Sequence, residues 1–213
     1  MPTTVLLVRH AETYGNIEGR FCGHSETELT PKGIEQAQAL GRRLRGQRFD
    51  AAYSSDLSRA HRTALHALEH HAEPLAPVLD PGLREMHYGE WESLNGREIG
   101  EKYPDQLREF FRCKVPAPGG ESIQQVRERT ATALRRTVSA HPESTILVVS
   151  HGNAIMAMIA ELLNVPHESS WSFAVANTSI TRMTFSKSGR MTLTGFNDHG
   201  HLEGAAAPTA VFG

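Results

Sequence analysis

The sequence predicts an α/β domain of three layers, α/β/α, on a mainly parallel central sheet, and three observations carry that expectation. Val5 to Val8 and Ile146 to Val149 are short, unbroken, β-branched-rich apolar runs, the pattern of parallel strands covered by helices on both faces. Stretches of helical periodicity alternate with such strands. Residues 86–121 break the alternation with two short helical candidates followed by Pro116-Ala117-Pro118-Gly119-Gly120, and they read as a helical lid insertion.

Each element has a local cause. Thr30 as N-cap and Pro31 at the first helical position open a helix whose Ile34, Ala37, Leu40 and Leu44 share one stripe. With the first strand and a candidate strand at Phe49 to Tyr53 it makes a βαβ unit. A second helix is expected from Ser58 to His70. A longer one follows Ser122, where Ser122-Ile123-Gln124-Gln125 is a capping box ahead of the stripe Ile123, Val126, Thr130, Leu134 and Val138. Ala154 to Leu163 reads as a buried helix that ends near Asn164 to Pro166. Ser179 to Phe185 and Met191 to Phe196 flank Ser188-Gly189 as a hairpin. Within the insertion the helical candidates are Glu98 to Tyr103 and Gln106 to Arg112. The 213 residues are about 1.4 times the rough size of one domain. A single domain over 1–203, with its insertion at about 86–121, and a loose C-terminal tail at 204–213 are therefore expected.

Composition removes several function classes. Lys and Arg number 22 against 24 Asp and Glu, and a net charge of −2 leaves no bulk basic field for nucleic acid or anionic lipid. The longest apolar stretch, Ala154 to Val165, is interrupted by Glu161 and Asn164 and falls far short of the ~20 residues of a membrane span. The N-terminus lacks a basic segment and a small-residue cleavage site, so the cytoplasm is the expected compartment. Cys22 and Cys113 show no CxxC spacing, and His66, His70, His71, His199 and His201 show no HExxH spacing, so neither a disulfide nor a metal is expected. A small molecule is the expected partner, and a homodimer is left open.

Ligands of open α/β sheets bind beyond the carboxyl ends of parallel strands. The first strand runs into Arg9-His10-Ala11-Glu12-Thr13 and the strand at Ile146 into Ser150-His151-Gly152-Asn153, so parallel neighbours would present both imidazoles at one edge. The third strand leads to Arg59 in the first turn of a helix whose N-terminus would offer partial positive charge and free amides. Two histidines and two arginines would then form an oxyanion cradle. A transferring phosphoryl group spreads charge over three oxygens and is stabilised by positioned cations and N–H donors, for which Arg9, Arg59 and His151 are suited. His10 is the candidate nucleophile, because neutral imidazole keeps one lone pair and the adjacent Arg9 disfavours its protonated form. The departing alkoxide needs a proton from a carboxylic acid of raised pKa. Glu85 is chosen for that role, although spacing alone does not select it over Glu12 or Glu90.

Arg9-His10-Ala11-Glu12-Thr13 with Asn16, Arg59-Ala60-His61-Arg62-Thr63, Glu85, Gly119-Gly120-Glu121-Ser122 and Ser150-His151-Gly152 resemble, in order, the motifs of the histidine phosphatase superfamily. The resemblance spans Val5 to about Leu202 and implies a phosphoglycerate mutase-like fold. It also implies His10 as phosphate acceptor, Arg9, Arg59 and His151 as phosphate ligands, Glu85 as proton donor, and polar or backbone contacts from Asn16 and Gly23. No cofactor or metal is implied. Alanine stands at position 11 where the family usually has glycine.

Within that superfamily the chain is similar to a branch of cofactor-dependent phosphoglycerate mutases and small broad-specificity, ribazole-phosphate and phosphoserine phosphatases. Phe21-Cys22-Gly23, His87-Tyr88-Gly89 and His151-Gly152-Asn153 have mutase character. Against this, the mutases carry an extra segment after Gly-Glu-Ser, a lysine after Leu-Asn where this chain has Gly96-Arg97, and paired arginines matched here only by Arg112. The expected function is therefore metal-independent hydrolysis of small phosphomonoesters through a phosphohistidine. A 2,3-bisphosphoglycerate-dependent mutase and a non-catalytic phosphate-binding module are the rivals. Tyr88, Trp91, Phe110 and Phe111 are expected to pack the lid, and Arg97, Arg108, Arg112 and Lys114 to form an exposed charged face.

Overall fold

The computed structural model describes residues 1–202, so the tail expected at 204–213 lies outside the described residues. Its strands are β1 (Thr3–Arg9), β2 (Ala51–Ser54), β3 (Val78–Leu79), β4 (Thr145–Ser150), β5 (Ile180–Phe185) and β6 (Met191–Asp198). They form one sheet in the order β3-β2-β4-β1-β5-β6. β1, β2, β3 and β4 pair in parallel, while β5 and β6 add an antiparallel hairpin. The last parallel strand in sequence thus enters between the first two, and β1 and β4, central and fully covered, become neighbours.

The α-helices are α1 (Tyr14–Ile17), α2 (Pro31–Arg43), α3 (Ser58–Leu68), α4 (Gly96–Lys102), α5 (Pro104–Phe111), α6 (Ile123–Ala140) and α7 (Gly152–Leu162). Strand alternation builds the two interfaces of the sandwich. Val5, Leu7, Ile146 and Val148 pack with Leu134, Ile155, Met156 and Ile159 of α6 and α7. Their sequence neighbours Leu6, Val8, Leu147 and Val149 turn to the other face, against Leu40, Ala60, Ala64 and Leu68 around α2 and α3. The insertion carries a satellite core in which Tyr88, Trp91, Ile99 and Phe110 pack on Ile123, Val126 and Ala157. It is therefore seated on α6 and α7.

The caps behave as the sequence suggests. Thr30 Oγ1 accepts from Gly33 N at 2.9 Å, and Ser122 and Gln125 exchange capping-box bonds. Boundaries moved where backbone chemistry overrode periodicity. β2 starts at Ala51 rather than Phe49, since Phe49 N–H bonds to His71 and Asp50 joins Thr145. α3 ends at Leu68, two residues short of His70, and α7 begins earlier, at Gly152. Inside the insertion, the Asn95–Glu98 capping box starts α4 at Gly96 and Pro104 starts α5 directly after Tyr103. The hairpin runs from Ile180 to Asp198, with Gly189 in the left-handed region at φ 79°. No helix among the described residues is long and apolar enough to cross a membrane.

α2 docks on the loop after β1 at Gly33, where an added methyl would run into the Glu12 carbonyl. Gly33→Ala should lower the unfolding free energy in urea by about 1–3 kcal/mol, the usual cost of overpacking. Gly100→Ala has only Leu107 at 3.7 Å beside its methyl. It should raise stability by about 0.5–1 kcal/mol through helix propensity. Equal stabilities of the two variants would contradict this close docking.

Candidate active site

The register of β1 and β4 fixes the centre of the site. Arg9 pairs with Ser150, and His10 N–H donates to Ser150 O at 2.9 Å, so the next residues, His10 and His151, leave the sheet side by side. Their ring centroids are 5.1 Å apart. His10 Nδ1 lies 2.7 Å from Ala11 O. A carbonyl only accepts, so Nδ1 carries the ring hydrogen and Nε2 keeps the lone pair. His151 Nε2 meets Ser55 Oγ at 2.8 Å, while its buried Nδ1 has no protein partner. Burial is the largest influence holding both imidazoles well below their ordinary pKa. Arg59 ranks second for each, and Arg9, which sequence adjacency had put first for His10, comes after it.

Both arginines are buried, and Arg59 is only 2% exposed. Arg9 Nη1 donates to Val175 O at 2.7 Å, and its Nε has no protein partner. Burial lowers the Arg9 pKa to about 10, opposed by Glu85 and Tyr88, so it remains a cation at neutral pH. Arg59 donates to Ser25 O and Gly23 O at 3.0 and 2.6 Å, which pins the 23–25 loop to α3. Gly23 makes that approach in the left-handed region, at φ 51°. Glu26 takes one of the amides expected to be free at the start of α3, accepting from Ser58 N–H and Ser58 Oγ. The carboxylate thus meets the positive helix end, and α3 adds the Arg59 side chain to the cavity.

Glu85 follows a short turn at Pro81–Leu83 that Ser150 Oγ ties to β4 through Leu83 O at 2.7 Å. Its carboxylate accepts from Ala154 N–H and Met86 N–H at 2.9 Å and from Asn153 N–H at 3.2 Å. It therefore caps α7 and is fixed over the strand ends. Arg84 pairs not with Glu85 but with Asp56, through bonds of 2.7 and 2.5 Å. The Gly-Glu-Ser motif acts indirectly. Glu121 takes two bonds from Arg129, which donates in turn to the carbonyls of Gly82, Arg84 and Glu85. Glu12 is likewise structural, bound to Thr30 Oγ1 and Lys32.

Sequence reasoning missed Asn177. Buried before β5, it donates to His10 O at 2.9 Å and Asn16 Oδ1 at 3.3 Å, while Thr178 N–H donates to Arg9 O. No spacing signal links residue 177 to residue 10. Thr63 was visible within its motif but had no role; its hydroxyl accepts from Ala11 N–H and donates to Arg59 O, joining the two motifs.

Arg9, His10, Asn16, Gly23, Arg59 and Glu85 line one cavity of about 330 Å³. His151 adjoins His10 without itself belonging to that lining. Asn16, on the same lining, spends its Oδ1 on Thr13 and Asn177 and keeps its Nδ2 donors out of those bonds. The same lining carries the apolar side chains of Phe21, Leu107, Phe110 and Phe111. Among the described residues, no group of three or more His, Cys, Asp or Glu is arranged to hold a metal.

A family model, histidine phosphatase superfamily (branch 1), matches residues 5–199. The chain belongs to this superfamily. It is 35% identical over 172 residues to the adenosylcobalamin/α-ribazole phosphatase of Escherichia coli (strain K12), covering 79% of this chain and 83% of that protein. It is 36% identical over 169 residues to a 2,3-bisphosphoglycerate-dependent phosphoglycerate mutase of Brucella canis (strain ATCC 23365 / NCTC 10854 / RM-666), covering 76% and 82%. The solved phosphoserine phosphatase of Entamoeba histolytica, in complex with 3-phosphoglyceric acid, superposes with a TM-score of 0.83 at 32% identity, over 94% of this chain and 99% of that one. Phosphatase and mutase activities among histidine phosphatase relatives place this chain among enzymes of phosphate-ester chemistry.

The neutral imidazoles make stability depend on pH. In the unfolded chain His10 and His151 take up protons near pH 6.5, whereas the folded site resists them. Their contribution is thus intact above about pH 6.5 and is lost as pH falls toward the lower folded values. Urea unfolding should show lower stability at pH 5.5 than at 7.5, and both rings should keep neutral NMR shifts at pH 6. Titration of either ring near 6.5 would contradict the buried, cation-flanked site.

Proposed function

We propose that the chain hydrolyses small phosphate monoesters through a phosphohistidine on His10. The observation that carries this reading is the fixed tautomer of His10, whose Nδ1–H is spent on Ala11 O in a cavity shared with Arg9, Arg59 and Glu85. Nε2 attacks phosphorus as the ester P–O bond breaks, and the Glu85 carboxylic acid gives its proton to the departing alkoxide. Water then attacks the phosphoenzyme, Glu85 takes back a proton, and the P–N bond breaks to release phosphate. Arg9 and Arg59 balance the charge on the phosphoryl oxygens, so the chemistry needs no metal for that purpose. Ser55 Oγ accepts from Leu57 N–H and has its own hydrogen available for His151 Nε2. We assign the His151 hydrogen to Nδ1, the buried ring nitrogen without a protein partner. Asn16 adds a donor, and Gly23 anchors Arg59.

Hydrolysis is favoured over transfer by the pairing of the insertion's cations. Arg97 lies 3.7 Å from Glu101, and Arg112 2.9 Å from Glu109, away from the cavity. Neither is directed at the carboxylate or second phosphate of a bisphosphoglycerate. The mutase reading keeps the support of the Brucella relative. Incubation with 3-phosphoglycerate and a trace of 2,3-bisphosphoglycerate separates the two, since rapid interconversion without phosphate release would establish the mutase.

p-Nitrophenyl phosphate should be turned over in EDTA, and His10→Ala should reduce that turnover at least about a thousandfold. Activity surviving in His10→Ala would defeat the phosphohistidine, and no turnover in the wild type would favour a non-catalytic module. Glu85→Gln should lose about 10²–10⁴-fold on alkyl phosphates but less than about tenfold on p-nitrophenyl phosphate, whose leaving group departs unprotonated. Equal losses on both would remove Glu85 from the donor role.

A further inference from the structure

The leaving-group half of the cavity has a chemistry of its own. Phe110, buried in the insertion's core, meets Tyr88 and Trp91 with ring centroids 6.2 and 5.1 Å apart, and Phe21 stands edge-on to Tyr88 at 5.1 Å. Leu107 and Phe111 continue this surface along α5. The wall is thus a set of interlocked rings.

Charge is distributed in the opposite sense. Among the described residues, the cations on the cavity lining are Arg9, Arg59 and Arg20. Arg9 and Arg59 stand at the phosphate end. Arg20 is 2.6 Å from Glu18 and 3.8 Å from Glu98, and it donates to Ser93 O. Arg108 and Lys114 pair with Asp105 and Glu109 at 2.6 and 3.2 Å and do not reach the lining. A carboxylate or second phosphate on the leaving group would exchange water for an apolar wall without a free cation, whereas a ring gains from burial.

We propose that this enzyme selects phosphate monoesters whose alcohol carries an uncharged, ring-sized apolar body, and that Phe21, Leu107, Phe110 and Phe111 set the preference. The inference rests on the hydrolytic reading above. The volume of about 330 Å³, at the small end of ligand pockets, suits a phosphate and a compact aromatic group.

The test compares 2-phenylethyl phosphate, glycerol 3-phosphate and 3-phosphoglycerate, all with primary alkoxide leaving groups, so that the demand on the proton donor is matched. kcat/KM for 2-phenylethyl phosphate should exceed both others by at least about tenfold. Phe111→Glu, at a position 40% exposed, should reduce the ratio to within about twofold, and Phe111→Leu should retain most of it. Comparable rates on all three esters, or 3-phosphoglycerate ahead, with His10-dependent phosphate release would overturn the substrate class and leave hydrolysis standing. A preference unchanged in Phe111→Glu would overturn the assignment of the wall. Release of phosphate from none of them would overturn the hydrolytic reading, and this inference with it.

Discussion

The site depends on keeping two guanidinium groups and two imidazoles dry in one place without cancelling their charge. Arg9 and Arg59 are nearly sealed from solvent, and among the described residues neither makes an ion pair. Each is held by backbone carbonyls, Arg9 by Val175 and Arg59 by Gly23 and Ser25. A carboxylate in contact would solvate them better and neutralise them, while a carbonyl dipole fixes geometry and leaves the charge for an incoming oxyanion. Burial first, and the field of these arginines second, keep the imidazoles neutral, and neutrality is the state in which a ring nitrogen can attack.

That arrangement explains the uses of the surrounding glutamates. Glu26 caps α3, Glu85 caps α7, Glu12 fastens the β1 loop to α2, and Glu121 holds Arg129 under the carbonyl of Glu85. Glu92 joins the 23–25 loop to the insertion through His24 N–H and Ser25 Oγ. Burial works against its charge, but those hydrogen bonds leave its pKa below the ordinary value. Negative charge is thus spent on helix ends and loop joints around the cradle. Glu85 alone among these five also lines the cavity, which sets it apart more firmly than spacing could.

The parts legible in sequence share a physical reason. The two apolar runs had to be central strands because residues of both parities were apolar, and their ends therefore had to carry the chemistry. Thr30-Pro31 and Ser122 encode helix starts through local hydrogen bonds, so they could be placed from a few residues. β3 and α1 escaped because two exposed residues and a four-residue turn have no periodicity to detect. Asn177 escaped because its partner lies 167 positions away, joined only when β5 pairs antiparallel with β1. The occupant of the Ser58 amide escaped for a similar reason: Glu26 sits on a loop 32 residues earlier.

The two halves of the cavity are built by different means, and this governs what each can fix. The end with Arg9 and His10 stands on strand termini whose register is set by six consecutive β1–β4 pairs, and a slip would turn every core side chain to the wrong face. The end with Leu107, Phe110 and Phe111 stands on the insertion, whose satellite core of Trp91, Ile99 and Phe110 packs on α6 and α7 but adds no strand to the sheet. Side chains such as Phe111 can be exchanged there without disturbing β1 or β4. Relatives bearing phosphatase and mutase names at 35% and 36% identity fit that division. Overall likeness follows the sheet and its cradle, whereas in the proposed hydrolysis the choice of alcohol falls to a few residues of α5 and the Phe21 loop.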